Sequence, residues 1–467
     1  MAYSKKPVYQ FENETSTGIN KIPQGRVITI DSYEGEAKMY IVTGSTKDLT
    51  DTTTIKEAVD KSILDEFGGG SGGGGGSSDT TNNSWTPGAK GFGVGIAPES
   101  ITTALKLTGQ GGYNNVESVN YGNYVDGSGN VFVFIPKFYF KWEKNTIHIS
   151  KTLKSGYVIH RAFINAGKEI DGFFIGKYQM SSGATSKRNG STWHSQQGQA
   201  YVAAANKLGD RYTTINVFMF NALALLSKAQ RQSGVNCAWV DVSPYYPKGN
   251  NNSGKDVNDP SISFVGTQPA NTGSGNPFTK TTHNGQDSGV ADINGNVWEF
   301  ALGITCDEVK FYVAKQTTDM AKFAEGVSSG ANLVPQNHWG DSSYLNASSG
   351  FFDELSTTKI PLGGSTQHVY FGNGNEQVFP FSTDKNSDDY IKCCLGIPLS
   401  SGVSTTGTEE FGNDCFYNVS SKTNHLHMLV GGAYGDFGGA GVWTQRARDS
   451  RTTSYQSSAS RLAILPA

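Results

Sequence analysis

The chain has 467 residues, room for about two to four domains, and its 38 Lys and Arg nearly balance 41 Asp and Glu, giving a net charge of −3. This balance argues against nucleic-acid binding, which needs clustered basic excess. No apolar run approaches the roughly 18 residues of a membrane span, and the N-terminus has no apolar signal-peptide core, so neither membrane insertion nor standard secretion is expected. The five cysteines show no CxxC spacing, which argues against a zinc site or a disulfide framework. A charged fraction of only 17% and 58 glycines indicate a loop-rich, mostly β protein with a polar surface.

The first 66 residues are predicted to form a small N-terminal module. Residues 26–31 and 38–44 alternate like a strand pair, and residues 54–64 carry an apolar helical face with Thr54 as N-cap. Residues 67–80 are rich in Gly and Ser and are predicted to be a linker.

A β-rich connecting region is predicted at residues 81–145, followed by the main domain at 146–467. Strands are expected within residues 130–142, where Pro136 suggests an edge or a bulge, and within 168–181. Two helices are expected at 198–209 and 213–234, each with apolar residues at helical spacing and a terminal Gly. After residue 240 the pattern predicts short strands, long loops and no further long helix.

Four segments occur in a characteristic order: "IDGFFIGKYQMS", "GVADINGNVWEF", "MLVGGAYGDFGGAGVW" and "SSASRLAI". In this order, with a helix pair after the first, they resemble the formylglycine-generating-enzyme type of the C-type-lectin-like fold. That family reads "F-x-I-x-K-Y-E", "D-x-x-G-N-V-W-E-W", "R-G-G-S-W" and a Ser-rich loop before an "F-R" strand. The resemblance covers roughly residues 130–467 and implies an α+β, β-rich, C-type-lectin-like domain.

A second resemblance concerns "FVFIPKFYFKW" and "SGYVIHRAFINAGKEIDGFFIGKYQMSSG", which look like phage and prophage tail proteins that carry this fold. It implies a tail-fibre or tail-tip adhesin that is made in the host cytoplasm, becomes part of the virion and binds a bacterial surface receptor non-covalently. Its N-terminal module would attach to other tail proteins, and the adhesin would be a homotrimer. The alternatives are a tailspike glycan depolymerase and a virion decoration protein that binds no receptor.

The turn "GVADINGNVWEF" raises the question of a metal. The resemblance implies a structural calcium ion held by Asp292, the carbonyls of Gly295 and Val297, and Glu299, which are oxygen ligands suited to that ion. The alternative is a turn without metal, in which Asp292 and Asn294 cap the backbone, Trp298 packs in the core and Glu299 bonds backbone amides.

Enzymatic activity is not expected. Oxidase members of the family need two cysteines just before the Ser-rich loop, and this chain has no cysteine after Cys415. His425 and His427 could lie on one face of a strand and bind a metal, but two histidines in a polar strand are the simpler interpretation. The adjacent Cys393 and Cys394 are expected in the core or at an edge.

The terminal segment, defined here as residues 434–455, is predicted to be the receptor-binding face. Aromatic and Arg side chains on a Gly/Ser background give large contact area at a low entropic cost. We expect part of Trp443 to lie in the core and Arg461 to be buried and paired. The predicted contact residues are Tyr434, Asp436, Trp443, Gln445, Arg446, Arg448, Asp449, Arg451 and Tyr455.

Overall fold

The chain divides into two units, Met1–Thr80 and Thr81–Ala467. The structure is a computed structural model. It describes residues 27–31, 37–41, 85–235, 237–238, 269–274, 281–306, 310–322, 352–358, 368–374, 377–406, 411–418, 426–436, 439–450 and 453–467.

The first unit contains the predicted strand pair. Strand β1 (Val27–Asp31) pairs antiparallel with β2 (Ala37–Ile41), with Val27 opposite Ile41. The predicted helix at 54–64 and the linker at 67–80 lie outside the described residues.

The second unit is strand-rich, and its described part has four helices. The helices are α1 (Glu99–Leu105), α2 (Gly198–Asn206), α3 (Val217–Gln232) and α4 (Asp388–Leu395). The strands up to α3 are β3 (Thr108–Gly109), β4 (Asn123–Val125), β5 (Val131–Pro136), β6 (Tyr139–Glu143), β7 (Thr146–Ser150), β8 (Val158–Ile159), β9 (Ile164–Asn165), β10 (Lys168–Glu169), β11 (Gly172–Gly176) and β12 (Tyr212–Thr214). The later strands are β13 (Trp298–Ala301), β14 (Ile304–Cys306), β15 (Lys310–Ala314), β16 (Phe352–Thr358), β17 (His368–Phe371), β18 (Val403–Ser404), β19 (Cys415–Asn418), β20 (Met428–Val430), β21 (Gln445–Ala447), β22 (Ser458–Ala459) and β23 (Leu462–Ile464).

A six-stranded sheet joins the two ends of this unit. Its strand order is β12-β23-β11-β5-β4-β3, so the last strand of the chain lies between β12 and β11. Ile464 of β23 lies opposite both Phe174 and Tyr212. Strands β4 and β5, which lie in the predicted connecting region 81–145, thus share a sheet with β11, β12 and β23 of the predicted main domain.

A seven-stranded sheet carries the candidate site. Its order is β18-β17-β19-β21-β20-β13-β22. β22 runs parallel to β13, with Ser458 opposite Trp298, and β21 runs antiparallel to β20. The turn that ends at β13 and the terminal segment that contains β21 therefore share one sheet.

The two predicted long helices are confirmed, but one end of each differs from the prediction. Helix α2 ends at Asn206, before the predicted Gly209. Helix α3 begins later than predicted, because residues 212–214 form β12 and Asn216 caps the helix by accepting a hydrogen bond from the Met219 amide.

Helix α3 is buried on every side rather than on one apolar face. Each side chain from Val217 to Gln230 is buried. Its polar residues have partners: Ser227 donates to the His283 carbonyl, Gln230 donates to the Asn284 carbonyl, and the Lys228 ammonium lies 4.3 Å from the Phe411 ring centre. A helix surrounded in this way forms the centre of the core.

Strands occur where the sequence predicted them, but each predicted region contains two shorter strands. Residues 130–142 form two strands, β5 and β6, separated after Pro136, and residues 168–181 form β10 and β11. The sequence pattern missed the short helices α1 and α4. Cys393 and Cys394 lie in α4 and are buried free thiols, which agrees with the expectation that they are core residues.

The described helices include none that is long and apolar enough to cross a membrane.

Candidate binding face and its supporting turn

The turn before β13 needs unusual backbone angles. Asp292 and Asn296 have φ values of 56° and 69°, and Gly295 has a φ of 140°. Asp and Asn tolerate the left-handed region better than most residues, and the angle at Gly295 strongly favours glycine. The local composition of this segment thus follows from its backbone path.

Four oxygen atoms of this turn converge on one side chain, that of Gln179. Its Nε2 atom lies 3.1 Å from the Asp292 carbonyl, 3.2 Å from the Gly295 carbonyl, 3.1 Å from the Val297 carbonyl and 3.0 Å from Glu299 Oε1. Gln179 has no exposed surface. The structure brings the four predicted calcium-binding residues together, but around an amide nitrogen.

Asp292 takes part through its backbone oxygen and not through its carboxylate. The carboxylate Oδ2 accepts a hydrogen bond from the Gly273 amide at 2.7 Å. Burial raises the pKa of the Asp292 carboxyl to about 6. Calcium takes six to eight oxygens at about 2.3–2.6 Å, and the point within reach of these four oxygens is filled by nitrogen. The residues present do not fit a calcium ion at this position.

Glu299 forms a fully buried ion pair with Arg461. Arg461 NH2 donates to Glu299 Oε1 at 2.6 Å, and Nε donates to Oε2 at 2.9 Å. Both side chains have no exposed surface. Arg461 also donates to the carbonyls of Gly176, Lys177 and Ala291. The prediction that Arg461 is buried and paired is confirmed, and Glu299 bonds this guanidinium rather than backbone amides.

The turn also supports the terminal segment directly. The Tyr434 amide donates to the Asn296 carbonyl at 3.0 Å, and two residues after the segment ends the Ser457 carbonyl accepts from the Trp298 amide at 2.8 Å. The Trp298 ring is 2% exposed, and the Arg446 guanidinium lies 5.9 Å from its centre. The turn and Trp298 therefore form the buried layer on which this segment packs, called here the floor of the face.

Three predicted contact residues form one cluster on that floor. Asp449 is buried, and its carboxylate accepts hydrogen bonds from Arg446 NH2 at 3.1 Å and from the Tyr455 hydroxyl at 2.9 Å. The Arg446 guanidinium lies 5.3 Å from the Tyr455 ring centre. Arg446 is half-buried, whereas 37% of Tyr455 is exposed. The cluster holds an aromatic ring and a guanidinium at the surface in fixed positions.

Other residues predicted for this face lie beneath it. Trp443 has no exposed surface, and its ring stacks on Phe379 with the centres 4.9 Å apart. Gln445 is buried, with Nε2 donating to the Leu395 carbonyl at 2.7 Å. Both side chains, predicted as receptor contacts, are therefore inaccessible at the surface of the described structure.

The remaining predicted residues differ in accessibility. Arg448 is exposed, Tyr434 is buried, and Asp436 is half-buried with one carboxylate oxygen accepting from the Ala433 amide. Burial raises the pKa of Asp436. Arg451 lies outside the described residues, as does His425. His427 is buried with its ring centre 4.0 Å from that of Phe300.

One neighbouring loop was not identified from the sequence. The Ser195 amide donates to the Tyr455 carbonyl at 2.9 Å, and His194 Nδ1 lies 2.8 Å from Ser195 Oγ. Trp193, half-buried, packs its ring on Tyr201 with the centres 5.1 Å apart. The segment "TWHSQ" has an aromatic residue among polar ones, the same signal that marked the terminal segment, but it is far from that segment in sequence.

Away from the terminal segment, a polar cleft of about 600 Å³ lies beside β15 and β16. Its lining includes Lys315, Lys385, Asp353, Glu354 and Asp388, and Lys315 Nζ lies 3.6 Å from Asp353 Oδ1. No aromatic ring is among the described residues that line it. The cleft offers charges of both signs but no ring for stacking.

No group of three or more His, Cys, Asp or Glu side chains placed to hold a metal ion occurs in the described ranges. No family model matches the chain, and no curated protein matches it either.

Proposed function

We propose that the protein is a phage tail-fibre or tail-tip adhesin that binds a bacterial surface receptor through the terminal segment. The proposal includes a C-type-lectin-like fold for the second unit, which is consistent with its strand-rich α+β architecture and with the buried "DINGNVWEF" turn. In the proposal the first unit attaches to other virion proteins, and the adhesin acts without enzymatic chemistry.

The observation that carries the proposal is the Arg446–Asp449–Tyr455 cluster. Tyr455 and Arg446 are held by a buried carboxylate, so little side-chain freedom remains to be lost when a receptor binds. Exposed Arg448 lies on the same segment. Tyr and Arg side chains in fixed positions are the residues that most often dominate binding energy.

Whole-cell binding tests this function. Fluorescently labelled protein incubated with a panel of candidate host strains is expected to bind at least one strain saturably. Binding to none of the strains would support the decoration alternative.

The depolymerase alternative has its own test, directed at the polar cleft. Host capsule or envelope polysaccharide incubated with the protein is expected to stay intact. Release of oligosaccharide that disappears in an Asp353→Asn/Glu354→Gln variant would contradict the adhesin proposal and assign the chemistry to the cleft.

We also propose a homotrimer, because several linked binding faces gain avidity on a cell surface. Light scattering of the full chain is expected to give three times the monomer mass. A monomer mass at concentrations well above micromolar would contradict the trimer.

A further inference from the structure

We propose that the side-chain amide of Gln179 takes the place of a calcium ion in the turn, so that the binding face is held in shape without metal. Four oxygens from one turn surround its Nε2 at 3.0–3.2 Å. These are hydrogen-bond distances to a donor, and the two N–H groups are shared among the acceptors in three-centre bonds.

The orientation of the Gln179 amide follows from backbone groups. The Ala270 amide can only donate, and it donates to Asn296 Oδ1 at 2.8 Å. Asn296 Nδ2 must then face the opposite way, where it donates to Gln179 Oε1 at 2.9 Å and to the Ala270 carbonyl at 3.1 Å. The oxygen of Gln179 is thereby accounted for, and its nitrogen faces the four turn oxygens.

Charge balance supports the same assignment. The only carboxylate oxygen among the four belongs to Glu299, and the Arg461 guanidinium already neutralises it in a bidentate pair. A divalent cation would add two buried positive charges, while the other carboxylate of the turn, that of Asp292, accepts from the Gly273 amide and is not among the four oxygens. A neutral N–H donor satisfies the oxygens and leaves the pair balanced.

The inference predicts how a single substitution changes the site. Gln179→Glu removes the donor and brings a second carboxylate to the same oxygens; when this carboxylate draws back from the point that the nitrogen fills, five oxygens surround a position for a cation. Such a cluster suits calcium and is repulsive without it. The variant should melt at a lower temperature than the wild type in a chelator, and millimolar calcium should restore the loss by mass action.

The experiment measures melting temperatures of the full-length wild type and of Gln179→Glu, each in chelator and in calcium. Gln230→Glu is the matched control, because Gln230 is equally buried but donates to the Asn284 carbonyl, away from the turn. It should lose stability without any recovery in calcium. The wild type should melt at the same temperature in both buffers, and elemental analysis should find substoichiometric calcium.

Three outcomes would overturn the proposal: a wild type that calcium stabilises, a wild type that retains one calcium per chain, or a folded Gln179→Glu that calcium does not rescue. If the variant does not fold, the two wild-type measurements still test whether the turn binds calcium. One consequence rests on the proposed function: cell attachment should survive chelation. Failure to attach to cells in both buffers would contradict the proposed adhesin function. The melting temperatures test the role of Gln179 independently of that function.

Discussion

At the scale of single residues, the pair between Arg461 and Glu299 joins the last strand to the turn before β13. Arg461→Met should lower the free energy of unfolding by about 3–5 kcal/mol, because it leaves Glu299 charged and buried without its partner. Urea denaturation measures the change.

Lys90→Met serves as the control for that substitution. Lys90 and Glu117 are 3.6 Å apart and largely exposed, so their pair should contribute only about 0–1 kcal/mol. Equal losses in the two variants would show that the buried pair has no special structural role.

A second residue-scale prediction concerns pH. His283 is fully buried, its Nδ1 accepts from the Val290 amide at 3.1 Å, and burial lowers its pKa to about 3. Its pKa in the unfolded chain is about 6.5, so its contribution to stability is complete above that pH and is lost as pH falls toward 3. The loss approaches about 1.4 kcal/mol per pH unit.

His283→Asn keeps an acceptor for the Val290 amide and removes the titrating ring. Between about pH 6 and 4.5, the free energy of unfolding of the variant should depend on pH less steeply than that of the wild type, by up to about 1.4 kcal/mol per unit. His160, whose pKa burial also lowers to about 3, and Asp292, whose raised pKa acts in the opposite direction, contribute to both proteins and cancel. Parallel pH profiles would contradict the assignment.

At the scale of elements, the aromatic cluster under the terminal segment connects packing with binding. Trp443 contacts the rings of Phe379, Phe411 and Trp142. Trp443→Ala should lower the free energy of unfolding by about 3–5 kcal/mol through the cavity it leaves, and cell binding should weaken because the segment above loses its support.

Trp443→Phe keeps a ring in the cluster and is the matched control, so it should lose less stability and retain binding. Thermal melts and cell binding of both variants give the comparison. Full binding by a folded Trp443→Ala protein would show that the face does not depend on this cluster.

Some elements could be predicted from sequence because their signals are local. The 3.6-residue spacing of apolar side chains located α2 and α3, and the Gly- and Asn-rich composition indicated the turn that precedes β13. The full burial of α3 could not be predicted, because the partners of Ser227 and Gln230 come from residues 283–284, more than fifty positions away.

The candidate site likewise has features that the sequence predicts and features that depend on distant contacts. The terminal segment was found by its composition, but Gln445 is buried while neighbouring Arg446 reaches the surface, and the sequence does not indicate which face of a three-residue strand is inside. Gln179 was missed although it occupies the last position of the "F-x-I-x-K-Y-E" pattern, where the family has Glu. Its contacts lie 113–120 residues further along the chain.

For the molecule as a whole, we propose that the second unit alone presents the terminal segment to a receptor. The floor of this face combines the buried turn, the Arg461–Glu299 pair and the Trp443 cluster, and each lies within the second unit. Substitution of an exposed side chain without structural contacts shifts stability by about 0.5 kcal/mol, and loss of the Tyr455 hydrogen bond to Asp449 should cost about 1 kcal/mol more, which is too little to unfold the domain. Binding and folding should therefore separate at Arg448 and Tyr455.

The most direct test is the affinity of an Arg448→Ala/Tyr455→Ala variant for host cells, measured by flow cytometry beside its melting temperature. The control is Lys90→Ala/Leu153→Ala, which removes two exposed side chains elsewhere. We expect the Arg448→Ala/Tyr455→Ala variant to fold and assemble like the wild type but to bind cells about tenfold more weakly or worse, while the control binds normally. A folded Arg448→Ala/Tyr455→Ala variant that binds as tightly as the wild type would contradict the proposal.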